Sequence, residues 1–534
     1  MPHLVLGPLL RHVDATRATV WVETDRPCEV TVLDTSTPTF TVGGHHYALA
    51  VVEGLPPASV TEYDVELDGE RVWPEPGDRP SVIRTLDPDR PFRLAFGSCR
   101  VSRPADDPQS GVDALHALAA RMEVQPTGAW PDLLLMVGDQ VYADENVPEE
   151  VRAFARARRD TSRPPHEQVA DFEEYCKLYQ VAWGPREIRW LLSVLPTVMI
   201  FDDHDVHDDW NTSAAWREMM AGTDWWAERI QSALMSYWIY QHLGNLSPDD
   251  LATLDLLREI RDDTATGGDG YRRLKEFAYD ADCRPDGTRW SYTRGLGTSR
   301  LVVIDSRAGR VLDGERREML DPDEWAWLDR QLTGDVDHLL LATSLPYLLP
   351  AGVHLLENWN EAVCGGAWGR LGARLGEKIR QAADLEHWAA FRSSFDRLAE
   401  LICAVGAGER GRPPASIVFL SGDVHFAYLA EAWMSRPVES RVFQAVCSPL
   451  RNPLPKVIRQ GQRVATSRVA YRIGRALARS AGVPPPPFGW RTTAGPAFDN
   501  EVATVELAGR TARLSVDRAV PPGRLELAFA AELA

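Results

Sequence analysis

The chain has 534 residues, 44% of them hydrophobic and 25% charged, enough for roughly two to four domains around a large buried core. That balance excludes a small module, a collagenous repeat and a disordered tail. The 58 basic against 77 acidic residues leave a formal charge of −19, which repels nucleic acid at long range and favours cations as partners. No nucleic-acid partner is expected. Only four of the basic residues are lysines (Lys177, Lys275, Lys378, Lys456), so an arginine in a motif carries little information here.

Leu4 to Leu10 is the one apolar stretch near the start. It has no twin arginine before it and no small-residue cleavage site after it, so a cytoplasmic location is expected. Residues 1–88 read as a small β-sandwich. Thr19 to Thr24 and Glu29 to Leu33 are β-branched and alternating, and Tyr63, Val65 and Leu67 alternate before an Asp68-Gly69 turn. Five prolines between Pro74 and Pro91 set a stiff boundary.

From 91 to 455, apolar runs alternate with helical patterns, the signature of layered α/β architecture. Helices are expected over Val112 to Met122, Glu167 to Ala182, Trp225 to Leu243, Asp323 to Leu332 and Leu385 to Val405. The tryptophans on these segments, such as Trp225, Trp226, Trp238, Trp325 and Trp327, read as packing residues. The longest apolar region, Leu339 to Leu356, is interrupted by Thr343, Ser344, Pro346, Pro350 and His354 and fails as a membrane span. Seven cysteines, an odd number with no C-x-x-C pair, argue against a disulfide framework or a zinc ribbon.

Five of the apolar runs end in polar residues. Phe92 to Phe96 leads into Gly97-Ser98-Cys99-Arg100, and Leu133 to Val137 into Gly138-Asp139-Gln140-Val141-Tyr142. Val194 to Phe201 leads into the segment 202–209, Leu301 to Ile304 into Asp305-Ser306-Arg307, and Ile417 to Leu420 into Ser421-Gly422-Asp423-Val424-His425. Sites in open α/β sheets gather at the carboxyl ends of strands, so these termini can meet in one crevice. Seven of the eight residues from Asp202 to Asp209 can bind metal or move protons. That many acids and imidazoles beside a buried strand repel one another unless cations neutralise them. With Asp139, Asp423 and His425 they suit two metals roughly 3.5 to 4 Å apart.

These motifs, in this order, resemble the PhoD-type alkaline phosphatase and phosphodiesterase family of the metallophosphoesterase superfamily. The resemblance covers about 91–450, includes a helix over Met319 to Leu332 with Trp327-Leu328, and extends to an N-terminal sandwich. It implies an α/β fold, a four-layer αββα sandwich, and a site holding a ferric ion with calcium. By the same resemblance Asp139 is the bridging carboxylate, Cys99 and Tyr142 are ligands on iron, and Asp423 and His425 close the cluster. Asp203 stands where the superfamily has an Asn ligand, and His204 where it has the histidine near the leaving group. Asp202, Asp205, His207 and Asp208 are expected to surround these ligands; Asp205 stands where the family has Glu. A substrate-facing segment is expected around Asn358-Trp359-Asn360-Glu361, where the family's Trp-Asp-Gly is missing. Thiolate and phenolate donors favour a redox-type metal and carboxylates suit calcium or magnesium, with manganese and zinc as other candidates.

The expected activity is hydrolysis of a small phosphate ester by a metal-bound hydroxide, with His204 assisting the departing oxygen and Asp205 or Asp208 setting its tautomer. Arg307 and Arg310 are candidates for clamping phosphate, against the plainer reading of a structural ion pair. Two rival functions are a phospholipase-D-type phosphodiesterase at anionic surfaces and a non-catalytic binding protein on a hydrolase fold. The presence of Asp139, Asp203, His204, Asp423 and His425 together argues against the second rival.

Residues 456–534 change character and are expected to complete the catalytic unit. Lys456 to Arg479 holds seven basic residues and no acid, Pro484 to Pro487 is a stiff run, and Glu501 to Val516 reads as a hairpin turning near Ala508-Gly509. The arginines at 459, 463, 468, 472, 475 and 479 have near-helical spacing. They suit either contact with a membrane surface or simple neutralisation of the chain's own acids.

Overall fold

The computed structural model describes residues 1–534 apart from 105, 106, 108, 314, 315 and 466, and apart from the side chains of 285, 456, 457 and 468. Two sheets form its centre. One has six strands, in spatial order Thr197–Ile200, Leu133–Val137, Phe92–Gly97, Glu501–Ala508, Thr511–Val520 and Arg524–Glu532. The other has seven, in order Tyr292–Leu296, Ser299–Ile304, His338–Thr343, Ser416–Ser421, Arg441–Val446, Ala427–Met434 and Phe488–Ala497.

The period-2 alternation of the seven-stranded sheet explains how the layers stack. Leu301, Val303, Leu340, Ala342, Val418 and Leu420 join the core that also contains Leu94, Phe96, Leu134 and Leu135 of the six-stranded sheet. Their neighbours Val302, Ile304, Leu339, Leu341, Ile417 and Phe419 point the other way, into a second core with Trp325, Leu328, Phe395 and Leu398 of the outer helices. The sheets therefore face each other with helices outside, the α/β sandwich expected from the alternating runs.

Helix starts follow local chemistry. Asp113, Asp171 and Asp321 each accept hydrogen bonds from backbone N–H groups of the first turn of Ala114–Val124, Phe172–Trp183 and Pro322–Gln331. Several helices carried no clear sequence signal, including Glu149–Arg158, Arg186–Val194, Ala351–Cys364 and Gly369–Ala382. The expected helix from 385 begins only at Arg392, after a 3₁₀ turn at Trp388–Ala390. The basic segment forms two helices, Lys456–Ala465 and Arg468–Ser480. Among the described residues no helix is long and apolar enough to cross a membrane.

The proline-rich stretch is less of a linker than its composition suggests, because Ser81–Arg84 inside it pairs with Val60–Tyr63. Nor is the change at 455 a change in packing. Glu501–Ala508 pairs antiparallel with Phe92–Gly97 at the middle of the six-stranded sheet, and with Thr511–Val520 in the hairpin turning at Ala508-Gly509.

The N-terminal strands Leu4–Val13, Ala18–Thr24, His45–Val52 and Phe40–Val42 form a sheet whose Leu9, Trp21 and Tyr47 belong to the main core. Arg11 fixes this junction. Fully buried, it donates to the carbonyls of Thr197 (3.0 Å), Tyr240 (2.8 Å) and Gln241 (2.8 Å) and to Asn245 Oδ1 (3.2 Å). Two of these carbonyls lie near the end of the helix starting at Trp226, where Trp238–His242 widens into a π turn. Gly244 makes room, since a Cβ there would stand 2.3 Å from Arg11 Nε.

Two predictions follow from buried charge. Arg11→Ala strips four buried acceptors of their donor and is expected to cost about 3 kcal/mol or more, measured as a lower urea midpoint. Glu501 is buried with neither oxygen bonded, and burial, then Asp499, lift its pKa to about 8. The unfolded carboxyl releases its proton near 4.5 and the folded one only near 8, so stability falls as pH rises between these values, by about 1.4 kcal/mol per unit. Glu501→Gln is expected to remove that slope, so its advantage in Tm over the parent should widen from pH 5 to pH 8.

Candidate metal centre

Each of the two sheets contributes a set of parallel strands, and both sets end in the same place. Phe92–Gly97, Leu133–Val137 and Thr197–Ile200 run parallel in one sheet. Ser299–Ile304, His338–Thr343, Ser416–Ser421 and Arg441–Val446 do so in the other. The approach of the two sets depends on glycine. A Cβ on Gly138, whose φ is +99°, would stand 3.1 Å from Ser344 Cβ at the end of the other sheet, and one on Gly422 would clash with Ser98 Oγ. The chain then turns sharply: Cys99, Asp139, Asp423 and His425 all adopt left-handed backbone, at φ of 56°, 50°, 66° and 58°. Strain of this kind clusters at functional sites, where surrounding structure over-determines it.

The turns bring the donors together in three overlapping groups. Ligand atoms of Cys99, Asp139 and His425 lie within 4.8 Å of one another, as do those of Asp139, Asp203 and His204, and of Asp202, Asp203 and Asp423. Cys99 Sγ is 3.2 Å from Asp139 Oδ2, and Tyr142 Oη donates to the same oxygen at 3.3 Å. His425 Nδ1 donates to the Asn452 carbonyl at 2.8 Å, which leaves Nε2 as its ligand nitrogen. Asn452 Nδ2 also donates to Tyr142 Oη at 3.1 Å.

The residues fit bound cations. Asp139 Oδ1 and Asp202 Oδ2 are buried carboxylate oxygens with no hydrogen-bond partner. Burial pushes Asp139 well above the usual carboxylate range, His204 opposing and Asp202, Asp203 and Asp205 adding repulsion. Burial likewise lifts Asp202 to about 8 and the Cys99 thiol well above its usual value. A cation among these groups reverses the effect, because it favours the ionised donor. One thiol, one phenol and one imidazole around Asp139 are a softer donor set than the carboxylates Asp202, Asp203 and Asp423.

His204 stands at the edge of the cluster, its ring 4.7 Å from that of Tyr142. Its Nδ1 bonds Asp144, 3.0 Å from each carboxylate oxygen. Burial lowers its pKa, but Asp144 and Asp203 outweigh that and hold it well above the usual imidazole value. Asp144 therefore sets the tautomer, in place of Asp205 or Asp208. Asp205 accepts from the Asp202 backbone N–H and from Gln241, and Asp208 lies 3.9 Å from His204 Nε2. His207 faces away into the tryptophans Trp216, Trp225 and Trp226.

Arg307 and Arg310 are fully buried and held in ion pairs, as the plainer reading of the two expected. Arg307 bonds Asp202, Asp203 and Glu386, and Arg310 bonds Glu386 and the carbonyls of Ser306 and Asn211. Asn358, Trp359 and Asn360 are buried in the helix Ala351–Cys364, and Glu361, half-buried there, accepts from the Arg392 backbone N–H. That helix also supplies Glu357, which bonds His387 Nδ1 at 2.7 Å while His387 Nε2 bonds Asp423 Oδ2 at 2.9 Å. Asp144, Glu357, Glu386, His387 and Asn452 were not singled out from the sequence. Of these only Asp144, two residues past Tyr142 in the same loop, had a local signal.

Comparison with known proteins agrees with this fold. No curated protein sequence matches the chain. Residues 1–85 match a domain of unknown function (DUF7800), and residues 109–470 match the model of the PhoD-like phosphatase family. A solved structure titled "Structure of PhoD" superposes with a TM-score of 0.59 at 12% identity, covering 99% of this chain and 90% of that one. The family model spans more than half of the chain, which thus belongs to the PhoD-like phosphatases, hydrolases of phosphoric esters.

Proposed function

We propose that the chain hydrolyses small phosphate esters, monoesters or diesters, at a centre of two or more cations built on Asp139. The observation that carries this reading is that Asp139 belongs to two of the three donor groups at once, with Cys99 and His425 on one side and Asp203 and His204 on the other. Cys99, Tyr142, Asp139 and His425, with their thiolate and phenolate donors, would hold a redox-type transition metal, for which ferric iron is the best candidate. Asp202, Asp203 and Asp423 would hold a hard one such as calcium. Bound there, the cations supply charge to a phosphoryl group and lower the pKa of a coordinated water toward neutrality.

The chain's own residues do the rest. The unpartnered Oδ1 of Asp139 leaves an oxygen free to meet a cation, and its membership of two donor groups supports a role shared between them. Asp144 fixes the ring of His204 through Nδ1, so Nε2 is the atom that donates a proton to the departing ester oxygen. Glu357 and His387 hold one oxygen of Asp423 in place, and Arg307 holds Asp202 and Asp203 from behind. Such support fixes the orientation of the ligating side chains.

Protein purified without chelators is expected to contain iron and calcium and to hydrolyse an aryl phosphate or a bis-aryl phosphate. Asp139→Asn should abolish turnover and lower metal content with the fold retained; unchanged turnover rejects the assignment. Asp144→Asn should lower kcat about 10²- to 10⁴-fold with KM and metal content little changed, whereas Asp208→Asn should have the smaller effect of the two.

A further inference from the structure

Two helices far apart in sequence carry the same unusual surface. On Gly369–Ala382, Leu371 and Leu375 lie one turn apart and are 81% and 60% exposed, with exposed Arg370, Arg374 and Lys378 alongside. On Arg468–Ser480, Val469 and Ile473 repeat the pattern at 62% and 56% exposure, with exposed Arg472, Arg475 and Arg479 alongside. The buried positions fall on the opposite sides, Gly376 and Arg380 on the first helix and Gly474 and Ala478 on the second. Of the fifteen large hydrophobic residues exposed among the described residues, eight lie between 368 and 375 or between 458 and 473.

The two helices form one unit. Both pack on helix Ala351–Cys364: a Cβ on Gly376 would meet Cys364 Sγ at 3.0 Å, and one on Gly474 would meet the Gly352 carbonyl at 2.9 Å. Leu355, Trp359, Val363, Ile379, Leu477 and Ala478 share one apolar cluster, and Trp368 Nε1 donates to the Ser480 carbonyl at 3.3 Å. Elsewhere on the surface arginines pair readily with acids, as Arg156 does with Glu149 and Glu167. Arg472, Arg475, Arg479, Arg370, Arg374 and Lys378 make no ion pair among the described residues. Neutralisation of the chain's own acids therefore does not account for them.

From this arrangement we infer that helices 369–382 and 468–480 are a docking face for an anionic lipid surface. Their basic stripes meet the headgroups, and Leu371, Leu375, Val469 and Ile473 enter the interface between headgroups and acyl chains. Charge selects this occupant. A second copy placing the same face against it would oppose cation to cation, and the rest of the chain, at −19 overall, is repelled by the lipid and leaves this face as the point of contact. The inference does not depend on the hydrolytic reading, since binding is measured without substrate.

The test is sedimentation of the full chain with vesicles of phosphatidylcholine alone and of phosphatidylcholine mixed with phosphatidylglycerol. Binding is expected only to the mixed vesicles and should weaken as salt is raised. The double variant Arg472→Glu/Arg475→Glu should lose binding about tenfold or more, and Leu371→Ser/Leu375→Ser should lose it with charge intact; both should keep the parent's melting temperature and turnover of a soluble aryl phosphate. Equal binding to both vesicles, binding to neither, or variants that bind as the parent does would overturn the inference. So would a dimer in solution that Leu371→Ser/Leu375→Ser dissociates, which would assign the face to self-association.

Discussion

The mutual repulsion of carboxylates at one point between two sheets is the constraint on which the rest of this structure depends. Asp139, Asp202, Asp203 and Asp423 converge there, and Asp202 and Asp203 are balanced by a single buried guanidinium, that of Arg307, which Glu386 also shares. Asp423 has His387. Asp139 has no basic side chain bonded to it among the described residues; its close partners are Cys99 and Tyr142, both weak acids whose protons burial retains. A fold that buries such a group must leave it protonated or provide a cation. The donor chemistry around Asp139 and the family to which the chain belongs both favour the cation.

The same constraint explains the backbone. Four donors sit in left-handed conformation, each at a cost on the order of 1–2 kcal/mol. Extended backbone would continue the strands past one another, whereas a left-handed residue after each strand turns the next side chain into the crevice. Gly138 and Gly422 let the ends of the sheets come close enough for Ser344 and Ser98 to pack against bare backbone. The core that holds the sheets together includes Trp21 and Tyr47 of the N-terminal strands, so the scaffold resisting this strain extends beyond the segment that carries the donors.

How far the site was legible in the sequence follows from the same physics. Cys99, Asp139, Asp203, His204, Asp423 and His425 follow apolar strands directly, and a run of buried β residues ending in glycine and acid is a local pattern. The supporting residues leave no such trace. Glu357 is one acid on an amphipathic helix, and His387 lies in a segment read as continuous helix, yet they meet because helix 351–364 and the turn before Arg392 pack side by side. Arg307 was visible but ambiguous: an arginine after a strand can face solvent or core, and only the packed chain shows it buried against Asp202, Asp203 and Glu386. In the fold, alternation revealed the strands. It could not reveal that Glu501–Ala508 enters the sheet beside Phe92–Gly97, because pairing across more than 400 positions is a property of the packed chain.

Helix 351–364 joins the site to the surface. Its inner side carries Glu357, which through His387 orients Asp423, and its other sides carry Gly352, Leu355 and Val363, against which the two basic helices rest. A displacement of this helix would change the position of His387 and of the basic helices together, since both pack on it. At a formal charge of −19 the chain is repelled by an anionic surface over most of its area, so the unpaired cations of the two helices set which face such a surface would meet. Arg307 and His387 offset negative charge among the buried carboxylates, and the basic helices offset it at the surface; both answer the same electrostatic problem at different depths of the fold.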